Sequence, residues 1–561
     1  MKAPPTVAER IVSSLEAMGV RWAFGVSGAA IAPLWTGLEH STIQVRHFRH
    51  EAGAAFAAVE SYFATGRPAV IFTTTGPGLT NALTGLFAAR AEGAKVILLS
   101  PATPAAQRGR WAFQETSAHA MPSAGLFTSG ALFHHATTLE SAAGVAEAMR
   151  RLSLGLTRLE GFVGHLNIPA DVQSSPCMEP VLPDVSSRPP TQPDGQTIRQ
   201  CVQWLKEEPF AIWAGFGARA AADSLLNLAQ RTGAPVMCSP RAKGIFPEDH
   251  PQFVGVTGFG GHGSVVESLQ QHRPQRTLVL GTRLGELTSF WNPALVPPRG
   301  FIHVDIDPEV PGTAFPSVET VAIQSDVDVF LRAVLSQLPA REAGAPTGRW
   351  VRPRLPADTE SATGQIRPEV LMALVQRLIV EGSEALVMAE PGCALAWANH
   401  WLRFNQPGRY RVSTAHSSMG HTVTGVVGAA LARQGKAITL TGDGAMLMNC
   451  EVNTAVKYNA QAVWIVLNDA GYNMCGQGLA LAGYKGMDVA IPRADFTLIA
   501  RGMGADGVRV EKESELPGAL QAALAAPGPF VIDVLIDPTR PAPFGARMQS
   551  LMAQGVGRSS A

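Results

Sequence analysis

Two acidic side chains stand just after two short apolar runs near the end of the chain. Asp443 follows the run at 437–441, and Asp469 follows a second run at 463–467. Both runs are rich in β-branched residues, which predicts two buried parallel strands. The residues between them, 447–458, have the composition and length of a crossover helix. Both strands then end at one sheet edge, where two carboxylates beside a helix start suit a hard divalent cation that bridges a diphosphate.

The alternative for this acidic pair is purely structural. Acidic and amide residues are common in the turns that follow the strands of any doubly wound sheet, because their side chains hydrogen-bond to the nearby backbone. Asp443 and Asp469 are separated by about one strand–helix–strand unit. That separation fits a cation site, but it does not by itself exclude two turn residues.

Glu51 is a further candidate, because a charged group is unexpected where it stands. The residues after it, 52–59, are Ala, Gly, Phe and Val. One interpretation is a poorly hydrated carboxylate held in place for chemistry. The other is an ordinary glutamate at a helix N-terminus, where the helix dipole stabilises negative charge. The local sequence leaves both interpretations open.

The composition limits the class of protein. The chain has 561 residues, too many for one hydrophobic core, and about three or four domains are expected. Apolar residues make up 46% and charged residues 16%, which suits a large α/β enzyme with extensive subunit contacts. Basic and acidic residues are balanced at 45 each, so no nucleic-acid or membrane partner is indicated.

The cysteines and the N-terminus indicate the compartment. The six cysteines contain no CxxC pair, and free thiols in a reducing environment are expected. The first residues form no apolar signal core, and no run is long and apolar enough to span a bilayer. The expectation is a cytoplasmic protein.

Apolar runs alternate with helical segments along the chain, which predicts an α/β fold with parallel sheets covered on both faces. Stretches rich in Pro with Ser or Ala, at 174–190 and 339–364, have the composition of linkers. The predicted units are three doubly wound parallel-sheet domains at 1–175, 191–340 and 365–540, and a C-terminal tail or lid at 541–561. The three units look like variants of one plan.

Glycines mark the turns after two predicted strands. Gly76-Pro77-Gly78 closes the run at 69–75, and Gly215-Phe216-Gly217 closes the run at 210–214. The second set loosely suggests a nucleotide fingerprint. The simpler interpretation is that these glycines only allow a tight strand-to-helix turn.

Several separate motifs resemble those of the thiamine-diphosphate enzymes related to acetolactate synthase. The resemblance covers nearly the whole chain, in the order pyrimidine-binding, central and diphosphate-binding domain. The motifs that carry it are Gly442-Asp443-Gly444 with Asn468-Asp469, Phe24-Gly25-x-x-Gly28-x-x-Ile31, His50-Glu51-x-x-Ala54, Thr75-Gly76-Pro77-Gly78-x-x-Asn81, Ala112-Phe113-Gln114-Glu115 and Ser418-Met419-Gly420.

The resemblance implies a role for each motif. Glu51 is expected to hydrogen-bond the aminopyrimidine ring of thiamine diphosphate, and Gln114 to contact the reacting carbonyl. Asp443 and Asp469, with the backbone carbonyl of Gly471, are expected to hold Mg²⁺ against the diphosphate.

Met419 is expected to fill the space beneath the bent cofactor, with an ordinary core methionine as the alternative. The remaining residues expected to bind the cofactor are Gly28, Gly76, Pro77, Asn81, Gly392, Cys393, Gly444, Ala445, Met446 and Tyr472.

The activity implied by the resemblance is a carboligase. It would decarboxylate a 2-oxo acid, pyruvate by analogy, and transfer the acyl carbanion to a second carbonyl, giving an acyloin-type product. A simple 2-oxo acid decarboxylase, a flavin-linked oxidase and a non-catalytic relative are the alternatives. In the family the counterparts of Glu51 and Asp443 meet between two subunits, which implies a homodimer or homotetramer. FAD is compatible with the central unit but has no motif to support it.

The sequence departs from the family pattern at several positions. Asp469 stands where many relatives have Asn, and Ala445 replaces a hydroxyl residue. Cys393-Ala394 replaces the usual Gln-His pair of acetolactate synthases. Gly478 stands where those enzymes commonly carry Trp, which predicts a more open acceptor side of the pocket. These departures weaken the inference of substrate more than the inference of cofactor.

Overall fold

The computed structural model describes residues 4–121, 124–180, 189–339 and 364–556. These residues form three six-stranded sheets in which every pairing between neighbouring strands is parallel. The predicted α/β fold with three doubly wound parallel sheets is therefore confirmed. Most strands are buried along their whole length, because helices cover both faces of each sheet.

The domain boundaries stay predictions. The predicted linkers fall largely outside the described residues, since 181–188 and 340–363 are not among them. Among the helices that the structure describes, none is long and apolar enough to cross a bilayer.

The first sheet has the strand order β2-β1-β3-β4-β6-β5. Its strands are β1 (Trp22–Gly25), β2 (Gln44–His47), β3 (Ala69–Phe72), β4 (Lys95–Ala102), β5 (His135–Thr138) and β6 (Phe162–Pro169). The helices of this unit are α1 (Val7–Ala17), α2 (Ala32–Glu39), α3 (Glu51–Thr65), α4 (Pro77–Asn81), α5 (Leu83–Glu92), α6 (Val145–Leu156) and α7 (Ala170–Gln173).

The central sheet has a different order, β12-β11-β10-β7-β8-β9. Its strands are β7 (Phe210–Ala214), β8 (Val236–Cys238), β9 (Phe253–Val256), β10 (Arg276–Leu280), β11 (Phe301–Asp305) and β12 (Thr320–Gln324). Its helices are α8 (Gly195–Glu207), α9 (Ala222–Thr232), α10 (Ser264–His272), α11 (Glu286–Ser289) and α12 (Val327–Gln337). This is the strand order of dinucleotide-binding domains.

The third sheet, with the order β14-β13-β15-β16-β18-β17, repeats the topology of the first. Its strands are β13 (Leu386–Ala389), β14 (Tyr410–Val412), β15 (Ala437–Gly442), β16 (Ala462–Asn468), β17 (Asp506–Val510) and β18 (Phe530–Leu535). Its helices are α13 (Pro368–Val375), α14 (Cys393–Trp401), α15 (His421–Arg433), α16 (Asp443–Met446), α17 (Val452–Lys457), α18 (Asn473–Leu481), α19 (Phe496–Gly502), α20 (Leu516–Ala525) and α21 (Gly545–Ala553). Only the first and third units thus follow one plan.

The crossover between β15 and β16 is not the single helix that its composition suggested. It consists of α16 and α17, with 447–451 between them. The buried Asn449 accepts the backbone N–H of Glu451 at 2.9 Å. A side chain that bonds the local backbone competes with helical hydrogen bonds, which explains the break.

The predicted C-terminal tail contains α21, and this helix lies against the central unit. Arg547 and Gln554 both bond the carboxylate of Glu286 at the start of α11. The side chain of Met548 points to α18, where a Cβ on Gly478 would lie 3.0 Å from its sulfur. Met548 therefore takes up the room that the missing side chain at position 478 leaves.

Helices α3 and α15 join the first and third units by packing against each other. Both are almost free of charge and rich in Ala, Gly and Val. A Cβ on Gly428 would lie 2.2 Å from the carbonyl oxygen of Ala57, closer than atoms can approach. The two backbones can come this close only because the facing residues are small.

Replacing Gly428 by Ala should therefore destabilise the protein. The added methyl group must push the two helices apart, and overpacking of this kind costs about 1–3 kcal/mol. Urea unfolding followed by circular dichroism measures the change. Gly518→Ala is the control, because Gly518 is an exposed glycine of α20 at which an added Cβ would meet no atom within 4 Å. Equal stability of Gly428→Ala and Gly518→Ala would contradict the close approach.

Candidate functional site

Most predicted site residues lie at the switch points of two sheets, where the strand order reverses. In the third sheet this point is between β13 and β15, which are followed by Gly392 and Asp443. In the first sheet it is between β1 and β3, which are followed by Gly28 and Gly76. Open parallel sheets bind ligands beyond the carboxyl ends of their strands at such points.

Asp443 and Asp469 form the acidic edge of the third sheet. Asp443 is 4% exposed, and its carboxylate accepts the N–H groups of Gly444 at 2.7 Å and Gly471 at 3.2 Å. Asp469 accepts a hydrogen bond from the amide of Asn473 at 2.8 Å. Burial, and then the negative charge of Asp443, raise the pKa of Asp469 to about 6. Burial also raises the pKa of Asp443.

This acidic edge fits a divalent cation. The negative charge of Asp443 disfavours ionisation of Asp469, and a cation that lies between the two carboxylates would offset this cost. No group of three or more His, Cys, Asp or Glu able to hold a metal occurs in the described ranges. A cation here would therefore take its other ligands from backbone carbonyls, such as that of Gly471, and from an anionic ligand. Asn473, which the sequence did not single out, orients Asp469.

Tyr472 and Cys393 lie at the same edge. A Cβ on Gly444 would lie 2.8 Å from a ring carbon of Tyr472, so the ring lies directly over this glycine and would have to move to admit a side chain. Burial, together with the charges of Asp469 and Asp443, raises the pKa of the Cys393 thiol to about 12. The thiol is therefore neutral near neutral pH and adds no negative charge to the edge.

Four predicted cofactor residues differ in what they can offer a ligand. The side chains of Ala445 and Met446 are buried in the core shared with the first unit, so only their backbone is available. Met419 is 41% exposed at the end of the loop before α15, which rules out an ordinary core methionine. Gly392 has a φ of 134°, a conformation that favours glycine at the start of α14.

Glu51 is the first residue of α3 and is only 7% exposed, so it is both a helix N-terminal glutamate and a buried one. The side-chain amide of Asn81 donates to its carboxylate at 3.1 Å. A Cβ on Gly78 would lie 3.3 Å from the other carboxylate oxygen. The structure thus brings Glu51 together with α4, whose first residue is Pro77.

Gln114 packs on the loop after β3. The side-chain carbonyl of Gln114 accepts a hydrogen bond from the hydroxyl of Thr75 at 3.2 Å. A Cβ on Gly76 would lie 3.1 Å from the Cβ of Gln114. The N–H of Gly76 donates to Thr116, a residue that the sequence did not suggest. On the opposite side, a Cβ on Gly28 would lie 2.3 Å from the hydroxyl of Thr74, so the loops after β1 and β3 nearly touch.

A cavity of about 860 Å³ opens at the switch point of the central sheet, between β7 and β10. It reaches the third unit, where it meets Gly392 and Met419. A Cβ on Gly215 would lie 2.3 Å from the carbonyl oxygen of Gly281, so this glycine lets the loops after β7 and β10 approach. The charged side chains that line the cavity in the central unit include Arg219, Arg241, Arg283, Asp305 and Asp307.

Three family models match the chain in order. Residues 5–121 match the N-terminal TPP binding domain of thiamine pyrophosphate enzymes, residues 198–334 match their central domain, and residues 390–534 match their C-terminal TPP binding domain. The matched ranges contain β1–β4 of the first sheet, all six strands of the central sheet, and β14–β17 with all but the last residue of β18 of the third.

Full-length relatives are distant. The large subunit of acetolactate synthase isozyme 1 from Escherichia coli is 28% identical, over 95% of this chain and 94% of its own. Acetolactate synthase from Mycobacterium avium is 27% identical, over 93% of this chain and 85% of its own. The chloroplastic acetolactate synthase 1 of Zea mays is 26% identical, over 99% of this chain and 90% of its own.

Three domain models in sequence, three matching sheets and relatives that cover nearly the whole chain agree with one another. The chain belongs to the thiamine pyrophosphate enzymes and is a distant relative of acetolactate synthase large subunits.

Proposed function

We propose that the protein is a carboligase dependent on thiamine diphosphate and Mg²⁺. It decarboxylates a 2-oxo acid, with pyruvate as the first candidate, and transfers the acyl group to a second carbonyl. The observation that carries this proposal is the buried Glu51, bonded by Asn81, in a chain that also has the acidic edge of Asp443 and Asp469. The acetolactate synthases among the relatives support the reaction class.

The residues of the acidic edge would hold the diphosphate end of the cofactor. Asp443 and Asp469 would hold the cation, which would neutralise part of the diphosphate charge, and Asn473 keeps Asp469 in place. Tyr472 closes the edge over Gly444. Bound thiamine diphosphate supplies the carbanion that the protein itself cannot form.

Glu51 would act on a proton of the aminopyrimidine ring. Its burial excludes water, and the amide of Asn81 fixes one carboxylate oxygen, so the carboxyl group points in one direction. Gln114, anchored by the hydroxyl of Thr75, would orient the carbonyl of the substrate from the neighbouring loop.

A second copy of the chain would complete the site. Apolar side chains near the proposed site are exposed in the single chain, among them Trp111 at 98% and Phe113 at 88%, on the loop that carries Gln114. Exposed apolar patches of this kind usually contact a partner. A homodimer, or a tetramer of two dimers, agrees with the family arrangement in which two subunits share a site.

A flavin-linked oxidase is the second candidate. The cavity at the switch point of the central sheet favours it, because it combines a dinucleotide-type strand order with arginine side chains and reaches Met419. Flavin absorbance in the purified protein, with loss of the carboligation product, would favour the oxidase. Free aldehyde as the sole product would favour a simple decarboxylase.

The deciding experiment is product analysis. The protein is incubated with Mg²⁺, thiamine diphosphate and pyruvate, together with a panel of aldehydes and 2-oxo acids, and the products are identified by mass spectrometry. The proposal expects carbon dioxide and an acyloin or acetohydroxy acid. Failure to consume pyruvate with every acceptor would exclude pyruvate as the donor, and failure with all other 2-oxo acids would support a non-catalytic relative.

Glu51→Gln should abolish turnover while the cofactor stays bound. A positioned proton-transfer group contributes roughly 100- to 10,000-fold to the rate, and the amide cannot replace the carboxyl group in this role. Steady-state kinetics measures the turnover, and cofactor titration measures the affinity for thiamine diphosphate. Glu147→Gln is the control, because Glu147 is an exposed glutamate in the first turn of α6. Normal turnover of Glu51→Gln would refute the assigned role.

Asp443→Ala should lose the Mg²⁺-dependent retention of thiamine diphosphate. Loss of an outer-shell partner already weakens metal binding about 10- to 100-fold, and loss of a direct ligand should weaken it more. Cofactor retained after gel filtration, with and without Mg²⁺, is the measurement. Asp495→Asn, in the N-cap of α19, should retain cofactor like the wild type. A variant at position 443 that holds the cofactor tightly would place the metal elsewhere.

Mg²⁺ binding should weaken in acid. Because the pKa of Asp469 is raised to about 6, this group is protonated below that pH and the cation must displace the proton. The affinity should fall roughly tenfold for each pH unit below the pKa. Calorimetric titration at neutral and at mildly acidic pH tests this, and Asp469→Asn should flatten the dependence. Equal wild-type affinities at the two pH values would contradict it.

A further inference from the structure

The segment that leads into Glu51 is bonded to the third unit of the same chain. The N–H of Arg49 donates to both carboxylate oxygens of Glu451, at 3.2 and 3.1 Å. The N–H of His50 donates to the same carboxylate at 3.0 Å. Three residues before His50, the N–H of His47 donates to the hydroxyl of Tyr458 at 2.8 Å. These bonds hold the backbone immediately before α3.

Glu451 is itself firmly held. It is completely buried, and its carboxylate also accepts the hydroxyl of Thr454. Its backbone N–H donates to Asn449. The carboxylate lies beside the N-terminus of α3, where the helix dipole favours negative charge. Its position is therefore set from both sides, by α17 and by α3.

Gly53 brings the first turn of α3 directly against this carboxylate. A Cβ at position 53 would lie 2.7 Å from Oε1 of Glu451 and 3.0 Å from its Cγ. A larger residue would have to displace the carboxylate or the helix. The contact between Glu451 and the start of α3 thus depends on glycine at this position.

We propose that Glu451 is a positioning residue for Glu51. It fixes the two N–H groups that precede α3, and so fixes where the first side chain of α3 points. Catalytic groups must be held within about 0.5 Å of their working geometry, and a shift of about 1 Å can cost roughly 100-fold in rate. The inference rests on the proposed function, because it assumes that Glu51 carries out the proton transfer.

The contact also joins, within one chain, the segment before Glu51 and the segment after Asp443. In the proposed homodimer these two residues belong to different sites. Glu451 follows Asp443 through α16 and the turn at Asn449, so one short stretch carries both the cation ligand and the support of α3. A merely structural cap would stabilise the fold without affecting the chemistry. The two roles differ in what a variant changes: a structural cap changes stability alone, whereas a positioning residue changes kcat at unchanged cofactor affinity.

The first test is Glu451→Gln in the full-length protein. The glutamine side chain has nearly the shape of glutamate, but its NH2 group is a donor and cannot accept the N–H groups of Arg49 and His50. The backbone at the start of α3 should therefore be held less firmly. Hydrogen–deuterium exchange of the peptide around 47–52, measured without cofactor, should become faster. The Kd for thiamine diphosphate with Mg²⁺ should stay unchanged, and kcat should fall roughly 100-fold.

Two further variants separate positioning from folding. Glu451→Asp keeps the charge and should recover part of the lost kcat. Gly53→Ala keeps glutamate at position 451 but adds a methyl group that would collide with its carboxylate. This variant should show the same faster exchange and lower kcat as Glu451→Gln. Asp495→Asn, which alters a helix cap elsewhere in the same unit, should leave exchange and kcat at their wild-type values.

The outcomes distinguish this inference from the proposed function. Wild-type exchange and kcat in both Glu451→Gln and Gly53→Ala would overturn the inference, as would a loss of kcat matched by equally weaker cofactor binding. If Glu451→Gln does not fold, Gly53→Ala and Glu451→Asp decide by the same readouts. If Glu51→Gln keeps full turnover, the role proposed for Glu51 fails whatever the variants at 451 and 53 show.

Discussion

Buried charges join the three domains at one point, and the loop that carries Met419 begins at that junction. Arg411 of the third domain lies between two carboxylates of the first, 2.9 Å from Glu60 and 3.2 Å from Glu92. Arg241 of the central domain reaches Glu92 at 3.0 Å, and His421 reaches Glu60 at 2.7 Å. Burial alone would raise the pKa of Glu92, but the two arginines hold it well below its usual range. Breaking a buried pair costs about 3–5 kcal/mol, so the domains are held in one arrangement.

The junction also fixes the loop that carries Met419. Glu92 accepts the N–H of Ala415 at 2.9 Å, so the first domain holds the start of this loop. Glu390, completely buried, accepts the N–H groups of Gly420 and Thr422 at 2.6 Å each and holds its end. The segment between these anchors has little freedom, so an exposed methionine can still have a defined position. The buried carboxylates that hold the domains together and anchor this loop therefore also set the geometry of the candidate site.

The edge of the third sheet and the cavity of the central sheet differ in the charges that they offer a ligand. The edge of the third sheet is acidic, because Asp443 is buried, Asp469 lies beside it, and the nearby thiol of Cys393 stays neutral. The cavity of the central sheet is lined by charges of both signs, among them Arg219 and Asp305. The acidic edge suits a cation with a bound anion, whereas the cavity offers arginines and carboxylates together. The central sheet also has a strand order different from the one that the first and third sheets share.

The sequence by itself determined the strands, their parallel pairing and the meeting of Asp443 and Asp469 at one edge, because periodicity and crossover length are local properties of the chain. Only the tertiary structure decided the strand order of the central sheet, the bond between Asn81 and Glu51, and the contact of Glu451 with the start of α3. That last contact joins residues 401 positions apart. A carboxylate that binds backbone N–H groups requires no particular side chain on its partner, so the sequence at 49 and 50 carries no sign of it.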